Sequence, residues 1–317
     1  PFIIFGDHTR TVKYIDFSSF IGADGVKVLN IKEDMSEYLD IKYIYYYLIY
    51  TDIPNDGYSR HFKYIKKLLY VVPPIEIQKQ IVEVLDEAQK LIDNRKEQIE
   101  LLDDLIESIF YDMFGDPVKN DKGWEMGTIR DLTDHTQYGT SKKASDTGEF
   151  PILRMGNITY EGNWDFSDMK YIDLDEKDKA KYLVRKGDLL FNRTNSKELV
   201  GKTAVYRETD PMAYAGYLIK LEPNSKGNTE YISAYLNSKH GKLILLNMAK
   251  NIVGMANINA QELQDIKILI PPLQLQNQFA EKVQAIESQK ELLQESLKLM
   301  EDNYNSLMQR AFKGELF

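Results

Sequence analysis

VVPPIEIQKQIVEVLDEAQKLIDNRKEQIELLDDLIESIFYDMFGD, Val71–Asp116, occurs a second time as LIPPLQLQNQFAEKVQAIESQKELLQESLKLMEDNYNSLMQRAFKG, Leu269–Gly314. At a constant offset of 198 residues, Pro73-Pro74 falls on Pro271-Pro272, Gln78 on Gln276, Gln80 on Gln278 and Phe114 on Phe312. Apolar residues recur in alternating steps of four and three. In the first copy they are Ile81, Leu85, Ala88, Ile92, Ile99, Leu102, Ile106, Ile109 and Met113; in the second, Phe279, Val283, Ile286, Leu293, Leu297, Met300, Tyr304, Leu307 and Ala311. That spacing is the seam of a coiled coil. One basic residue interrupts each seam, Arg95 and Lys290. Such an interruption costs stability and can fix register. The prolines suit a first helical turn, where a missing N–H is no loss. A helix from about Glu76 to Met113 would be roughly 57 Å long at 1.5 Å per residue. That is too long to bury its stripe in one small domain, so the two copies are expected to pack on each other.

The chain has 317 residues, which suggests about two domains as a prior. No apolar run is long enough to span a membrane. No basic n-region and apolar core mark a signal peptide. There is no cysteine, which excludes disulfides and thiolate metal sites and fits a cytoplasmic location. The net charge of −9 looks hostile to nucleic acid, but its location matters more. Glu76–Met113 holds 11 acids and 4 bases, and Leu273–Phe312 holds 6 and 4, which together carry the whole excess. The rest of the chain is neutral overall, and a neutral domain can still present a basic face.

Pro1–Val72 reads as an incomplete domain. Phe2–Asp7 and Lys27–Ile31 are strand-like, Glu37–Tyr50 has helical spacing with a tyrosine stripe that reads as core, and a short helix is expected near Lys63–Leu69. Gly115 and Pro117 stop the first long helix, and Lys119–Gly123 is a polar linker. Trp124–Ile270 reads as a full domain. Its expected strands are Phe150–Ile158, Asp188–Arg193, Lys202–Glu208 and Ala215–Pro223, and Thr229–Leu245 is an expected helix. Asn259 with Glu262 three residues on is a capping box. LLFNRTNSK matches IIFGDHTR, EYISAYL matches EYLDIKYIYYYL, and the NINAQELQDIKILIPP end matches SRHFKYIKKLLYVVPP. The expected fold is therefore α+β, a tandem repeat of globular block plus long helix. The boundaries are 1–72, 73–115, 116–270 and 271–317.

This arrangement resembles the specificity subunits of type I restriction–modification systems (HsdS). PPIEIQKQIVEVLD and PPLQLQNQFAEKV look like that family's Pro-Pro-Leu-x-x-Gln helices. VRKGDLLFNRTNSKELVGKTAVY looks like its Lys-Gly-Asp strand with a following Gly-Lys turn, and AFKGEL like its C-terminal signature. The resemblance covers essentially the whole chain, minus the front of the first recognition domain. It implies two α/β target recognition domains at opposite ends of an antiparallel coiled coil, each reading half of a split double-stranded DNA target. It implies docking of methyltransferase (M) subunits, with restriction/translocase (R) subunits added for cleavage. The chain itself would hold no cofactor; S-adenosylmethionine, and ATP with magnesium, would belong to the partners. The missing front makes a self-dimer that restores two half-sites a further expectation. No membrane partner is expected.

Active-site patterns argue the same way. There is no (Asn/Asp)-Pro-Pro-(Tyr/Phe) methyltransferase motif and no G-x-x-x-x-G-K-[ST] phosphate loop. Asp173, Asp175, Glu176 and Lys177 read as a solvated helix start, and the four histidines lack ligand spacing. A non-catalytic reader is expected, with a coiled-coil protein-interaction scaffold as the alternative.

Reading bases needs bidentate Arg, Lys, Asn or Gln on exposed loops, and positioning needs phosphate contacts. Three loops of the second block supply them: Gln137–Lys143, Asn192–Lys197 and Lys250–Asn259. The candidates are Tyr138, Thr140, Ser141, Lys142, Lys143, Asn192, Arg193, Asn195, Lys197 and Asn257, with Arg154 and Asn157 on a strand and its loop. In the first block they are His8, Arg10, Ser59 and Arg60.

Overall fold

The computed structural model describes residues 1–317 apart from Ile21, Ala23, Asp24, Val253 and Gly254, and apart from the side chains of Lys250, Asn251 and Ile252. The repeated stretches form two long helices, a first rod Ile75–Phe114 and a second rod Leu273–Lys313. Each begins just after its proline pair. Each ends at a glycine in the left-handed region, Gly115 (φ +79°) and Gly314 (φ +73°). A residue with a Cβ resists that conformation, so glycine is the natural helix stop. The chain divides into two compact units, Pro1–Ile99 with Glu291–Phe317, and Glu100–Lys290.

In the first unit, β1 (Phe2–Gly6) lies between β2 (Val12–Ile15) and β3 (Val26–Leu29), antiparallel to both. Ile3 and Phe5 of β1 are fully buried with Leu48, Ile53 and Ile65. The tyrosine helix, Ile41–Tyr50, starts four residues later than its spacing predicts. Asp40 takes the N-cap and accepts from the amides of Lys42 and Tyr43. Its stripe is core, as expected: Tyr43 and Tyr46 pack with Ile81 and Leu85 of the first rod and Met308, Ala311 and Phe312 of the second. Residues near one rod's start thus meet residues near the other's end, so the pairing is antiparallel. Lys96 and Glu301 add an ion pair of 2.9 Å, half-exposed and therefore weak.

In the second unit the strands are β4 (Glu125–Thr128), β5 (Thr133–Tyr138), β6 (Phe150–Leu153), β7 (Lys170–Ile172), β8 (Leu183–Val184), β9 (Leu189–Asn192), β10 (Thr194–Asn195), β11 (Thr203–Val205), β12 (Met212–Tyr214), β13 (Leu218–Pro223), β14 (Lys250–Ile252), β15 (Met255–Asn257) and β16 (Lys267–Ile270). They order as β11-β9-β13-β5, β7-β6-β12-β8, β10-β15-β14 and β16-β4. The β11-β9-β13 core repeats β2-β1-β3. Phe191 sits between Thr203 and Ile219 as Phe5 sits between Val12 and Lys27. Phe110 and Phe114 of the first rod pack on Phe279 of the second and on Tyr231.

The duplication extends to single hydrogen bonds. Gln78 accepts from Asp40 N (2.9 Å) and donates to the carbonyls of Tyr38 and Pro73 (both 2.8 Å). Gln276 accepts from Asn228 N and donates to the carbonyls of Lys226 and Pro271, all at 2.9 Å. Both glutamines are fully buried. The Tyr43 hydroxyl donates to Val71 O and that of Tyr47 to Leu69 O; Tyr231 does the same to Leu269 O and Tyr235 to Lys267 O. Gln78 and Gln276 are therefore polar locks between each rod's start and its own unit.

Some expectations need correction. The helix expected over Thr229–Leu245 is two, Thr229–Asn237 and Lys239–Met248. Ser238 lies between them in an extended conformation, and its hydroxyl accepts from Gly241 N, which restarts the helix. The strand expected to reach Ile158 stops at Leu153, because Arg154–Asn157 closes a tight turn. Of the two basic seam residues, Lys290 is buried and pairs with Asp103, whereas Arg95 stays half-buried and donates to Gln98 on its own rod.

Candidate nucleic-acid interface

β9 is buried along its whole length. The chain then leaves one sheet for another: Arg193 follows β9, and β10 pairs with β15. Arg193 is pinned by its backbone, donating from N to Tyr217 O (3.0 Å) and accepting at O from Ile258 N (2.9 Å). Its guanidinium lies 4.7 Å from the centroid of the Tyr138 ring. Such cation–π contacts are worth about 0.5–2 kcal/mol and orient the fork. One Nη donates to Asn257 Oδ1 (3.3 Å), and Asn257 Nδ2 donates to Thr194 Oγ1 (3.1 Å). The Tyr138 hydroxyl in turn accepts from Ala260 N (3.0 Å), in the first turn of the helix capped by Asn259 and Glu262. Arg193 Nε is buried and has no hydrogen-bond partner among the described residues.

The three loops singled out in the sequence therefore converge. Tyr138 comes from the first, Arg193 and Thr194 from the second, and Asn257 from the third. Ser141, Lys143 and Lys197 are exposed on those loops. Lys142 is exposed but pairs with Asp178, which holds its ammonium above its ordinary range. Asn195 is half-buried, with its side-chain oxygen turned to Ser196 N.

Other candidates do not reach the surface. Asn192 is fully buried in β9, its Oδ1 accepting from Thr194 N. Thr140 is buried, and its hydroxyl accepts from Lys142 N. Asn157 is buried and works inside the fold, accepting from Arg154 N and donating to the carbonyls of Asp165 and Asp168. Arg154 donates to the same Asp168, to its carbonyl (2.6 Å) and its carboxylate (3.0 Å). These residues hold the 154–168 turn together.

In the first unit the cluster is not repeated. Two residues beyond the central phenylalanine, Asp7 stands where the second unit has Arg193, and its carboxylate accepts from Phe62 N (2.7 Å). His8 stacks on Tyr58 at 4.9 Å, and its Nδ1 lies 3.1 Å from Ser59 O. Arg10, in the left-handed region at φ +60°, donates to Ile53 O (3.0 Å). The Ser59 hydroxyl is buried without a partner among the described residues, while Arg60 is exposed.

Two features escaped sequence reading. Tyr217, 52 % exposed, lies beside Arg193 only because β13 pairs with β9. Lys242 sits over the Tyr160 ring at 4.4 Å and donates to Tyr160 O and Asn237 Oδ1; burial pushes its ammonium down to about 8. It lines a cavity of about 510 Å³ in the second unit with Asp103, Glu107 and Glu287. Among the described residues no cluster has the make-up of a metal site, and no helix is long and apolar enough to cross a membrane.

Residues 121–301 match the family model described as the type I restriction modification DNA specificity domain. The putative type I restriction enzyme MjaX specificity subunit of Methanocaldococcus jannaschii is 29 % identical over 199 residues, covering 61 % of this chain and 46 % of that protein. The EcoKI specificity subunit of Escherichia coli is 23 % identical over 265 residues, covering 77 % of this chain and 57 % of the other. The chain thus spans about half the length of the curated relatives it matches. Among solved structures, the type I restriction-modification S subunit from M. genitalium aligns over 98 % of this chain and 82 % of its own, with a TM-score of 0.57 at 16 % identity. A chain from a work on complex assembly and conformational transition of the type I R-M system aligns with a TM-score of 0.58 at 15 % identity, over 99 % and 82 %. At that identity the likeness is one of fold.

Proposed function

Because the chain belongs to the type I restriction modification DNA specificity family, we propose that it is the sequence-reading element of a type I restriction–modification assembly. Its second unit reads one half of a bipartite double-stranded target. The observation that carries this is the convergence of Tyr138, Arg193 and Asn257 from three loops. A guanidinium held on an aromatic face, next to an amide, is suited to the edge of guanine or adenine in a major groove. Exposed Ser141, Lys143 and Lys197 suit phosphates. The exposed Arg60 and the His8–Tyr58 stack belong to a first recognition domain that includes residues 1–72. The spacer segments are 73–115 and 271–317, and the second recognition domain is 116–270. The rods' outer faces dock methyltransferase subunits, which bring S-adenosylmethionine; restriction subunits bring ATP and magnesium. The chain contributes no catalytic group.

The test is to co-purify the chain with its modification subunit and select methylated sites from a randomised duplex pool. Arg193→Ala and Asn257→Ala should relax one half-site, each by about 1–3 kcal/mol of discrimination at one base pair. An unchanged site preference rejects the assignment.

A further inference from the structure

The cavity of about 510 Å³ lies where the helix Thr229–Asn237 meets the two rods, and all its lining belongs to the second unit. At the matching place the first unit is filled. Tyr231 and Tyr235 match Tyr43 and Tyr47, so Ser233 and Ala234 stand where the first unit has Tyr45 and Tyr46. Ile106, by the offset of 198 residues, stands where it has Tyr304. Those three tyrosines belong to the first unit's packed core, and Tyr46 is only 3 % exposed. In the second unit three rings are thus exchanged for Ser, Ala and Ile. The apolar part of the lining is Ile106, Phe110, Ala234 and Val283.

The rest of the lining is acidic. Six of its residues carry carboxylates and three carry cations. Arg207 forks onto Glu230 (2.8 and 2.7 Å), and Asp103 pairs with Lys290. Lys242 donates to Tyr160 O and Asn237 Oδ1, neither of them a carboxylate. Two carboxylates, one from each rod, are left short of donors. Glu107 Oε1 is buried with no hydrogen-bond partner among the described residues, and Lys239 Nζ stands 3.7 Å from it. Glu287 lies 3.7 Å from Arg207, and burial pushes its carboxyl above the ordinary range. Buried carboxylates in that condition are costly, and a cation in the cavity supplies what they lack. The volume falls within the roughly 300–1,000 Å³ of small-molecule sites and exceeds what one basic side chain fills.

We propose that this cavity binds a small aliphatic polyamine. One ammonium sits at Glu107 and another at Glu287, and the methylenes between them lie along Phe110, Ala234 and Val283. The bound ligand ties both rods to the helix Thr229–Asn237 and so stabilises the second unit.

The probe is spermidine, titrated into the full chain by calorimetry, with amide exchange as the second readout. Expected are saturable one-to-one binding and slowed exchange within residues 103–110, 230–238 and 283–287. Glu107→Gln keeps the shape, removes the charge and should weaken binding at least tenfold. Ala234→Tyr with Ile106→Tyr restores the first unit's filling and should abolish it. N-acetyl-lysine-N-methylamide carries one ammonium and stands for a protein side chain; it should bind at least tenfold more weakly than spermidine. Absence of saturable binding overturns the proposal. So does binding undiminished in either variant, which marks general attraction to an acidic surface. Equal binding of the lysine probe overturns it as well, by assigning the cavity to a basic side chain of a partner protein.

Discussion

Lys290 of the second rod, only 4 % exposed, is ion-paired with Asp103 of the first and also donates to Asn163 (3.0 Å). A charge buried in a seam depends on its partner: removing one member costs more than replacing the buried charge itself with an apolar side chain. Asp103→Ala should therefore destabilise the second unit by about 3 kcal/mol. Lys290→Met, similar in volume, should cost less than 1.5 kcal/mol, on the scale of a volume-conserving core swap. Urea unfolding of the two variants decides; an equal loss in both would mean the pair does not act as a unit.

The glutamine locks give a second expectation. Gln276→Glu keeps the shape but replaces the donor that faces the carbonyls of Lys226 and Pro271 with a carboxylate oxygen. Lost buried hydrogen bonds of this kind cost about 1–3 kcal/mol each set. Amide exchange should quicken around Asn228 and the start of the second rod. Gln78→Glu should do so around Asp40 instead. Matching exchange maps for the two variants would refute separate locks.

Tyr138 separates support from chemistry. Tyr138→Phe keeps the ring beneath Arg193 and loses only the acceptor for Ala260 N, so half-site preference should persist. Tyr138→Leu removes the face and should weaken cognate binding about two- to thirtyfold, the range of a cation–π contact of 0.5–2 kcal/mol. Competition binding at two salt concentrations measures this; a salt-dependent, sequence-independent loss would instead mark a phosphate contact.

Lys242 should titrate near 8 rather than near the ordinary lysine value of 10.5. Its folded value is depressed, so the penalty on its charged form is fully present below 8 and is relieved as pH rises toward 10.5. Relative to Lys242→Met, the chain should gain stability across that window. The methyl resonance of reductively ¹³C-methylated Lys242 reads the titration directly; a midpoint above 10 would show the amine to be solvated.

The rods were legible because their signals are dense: proline pairs, a three–four alternation and a glycine at each end. The Ser238 break was not, because apolar spacing continues across it through Leu236 and Leu243 and only the hydroxyl's bond to Gly241 N restarts the helix. The three loops could be proposed from residue type, since Arg193 leaves a strand and Asn259 caps a helix. Their meeting could not, because strand order alone brings residues 138, 193 and 257 together. Asn157 and Asn192 read as surface groups in the sequence but are buried, for the converse reason. An amide on a strand or turn looks available until the fold consumes its bonding capacity.

The first unit's core is closed by segments far apart in the chain: Tyr43 packs against Phe312 at 5.5 Å. On a ribosome the β1–β3 sheet and its tyrosine helix emerge well before the aromatic that closes their core. Domains usually fold in the order they are synthesised. Here residues 2–50 wait for the second rod to be made, so premature termination within that helix should also damage the sheet and the tyrosine helix that precede it.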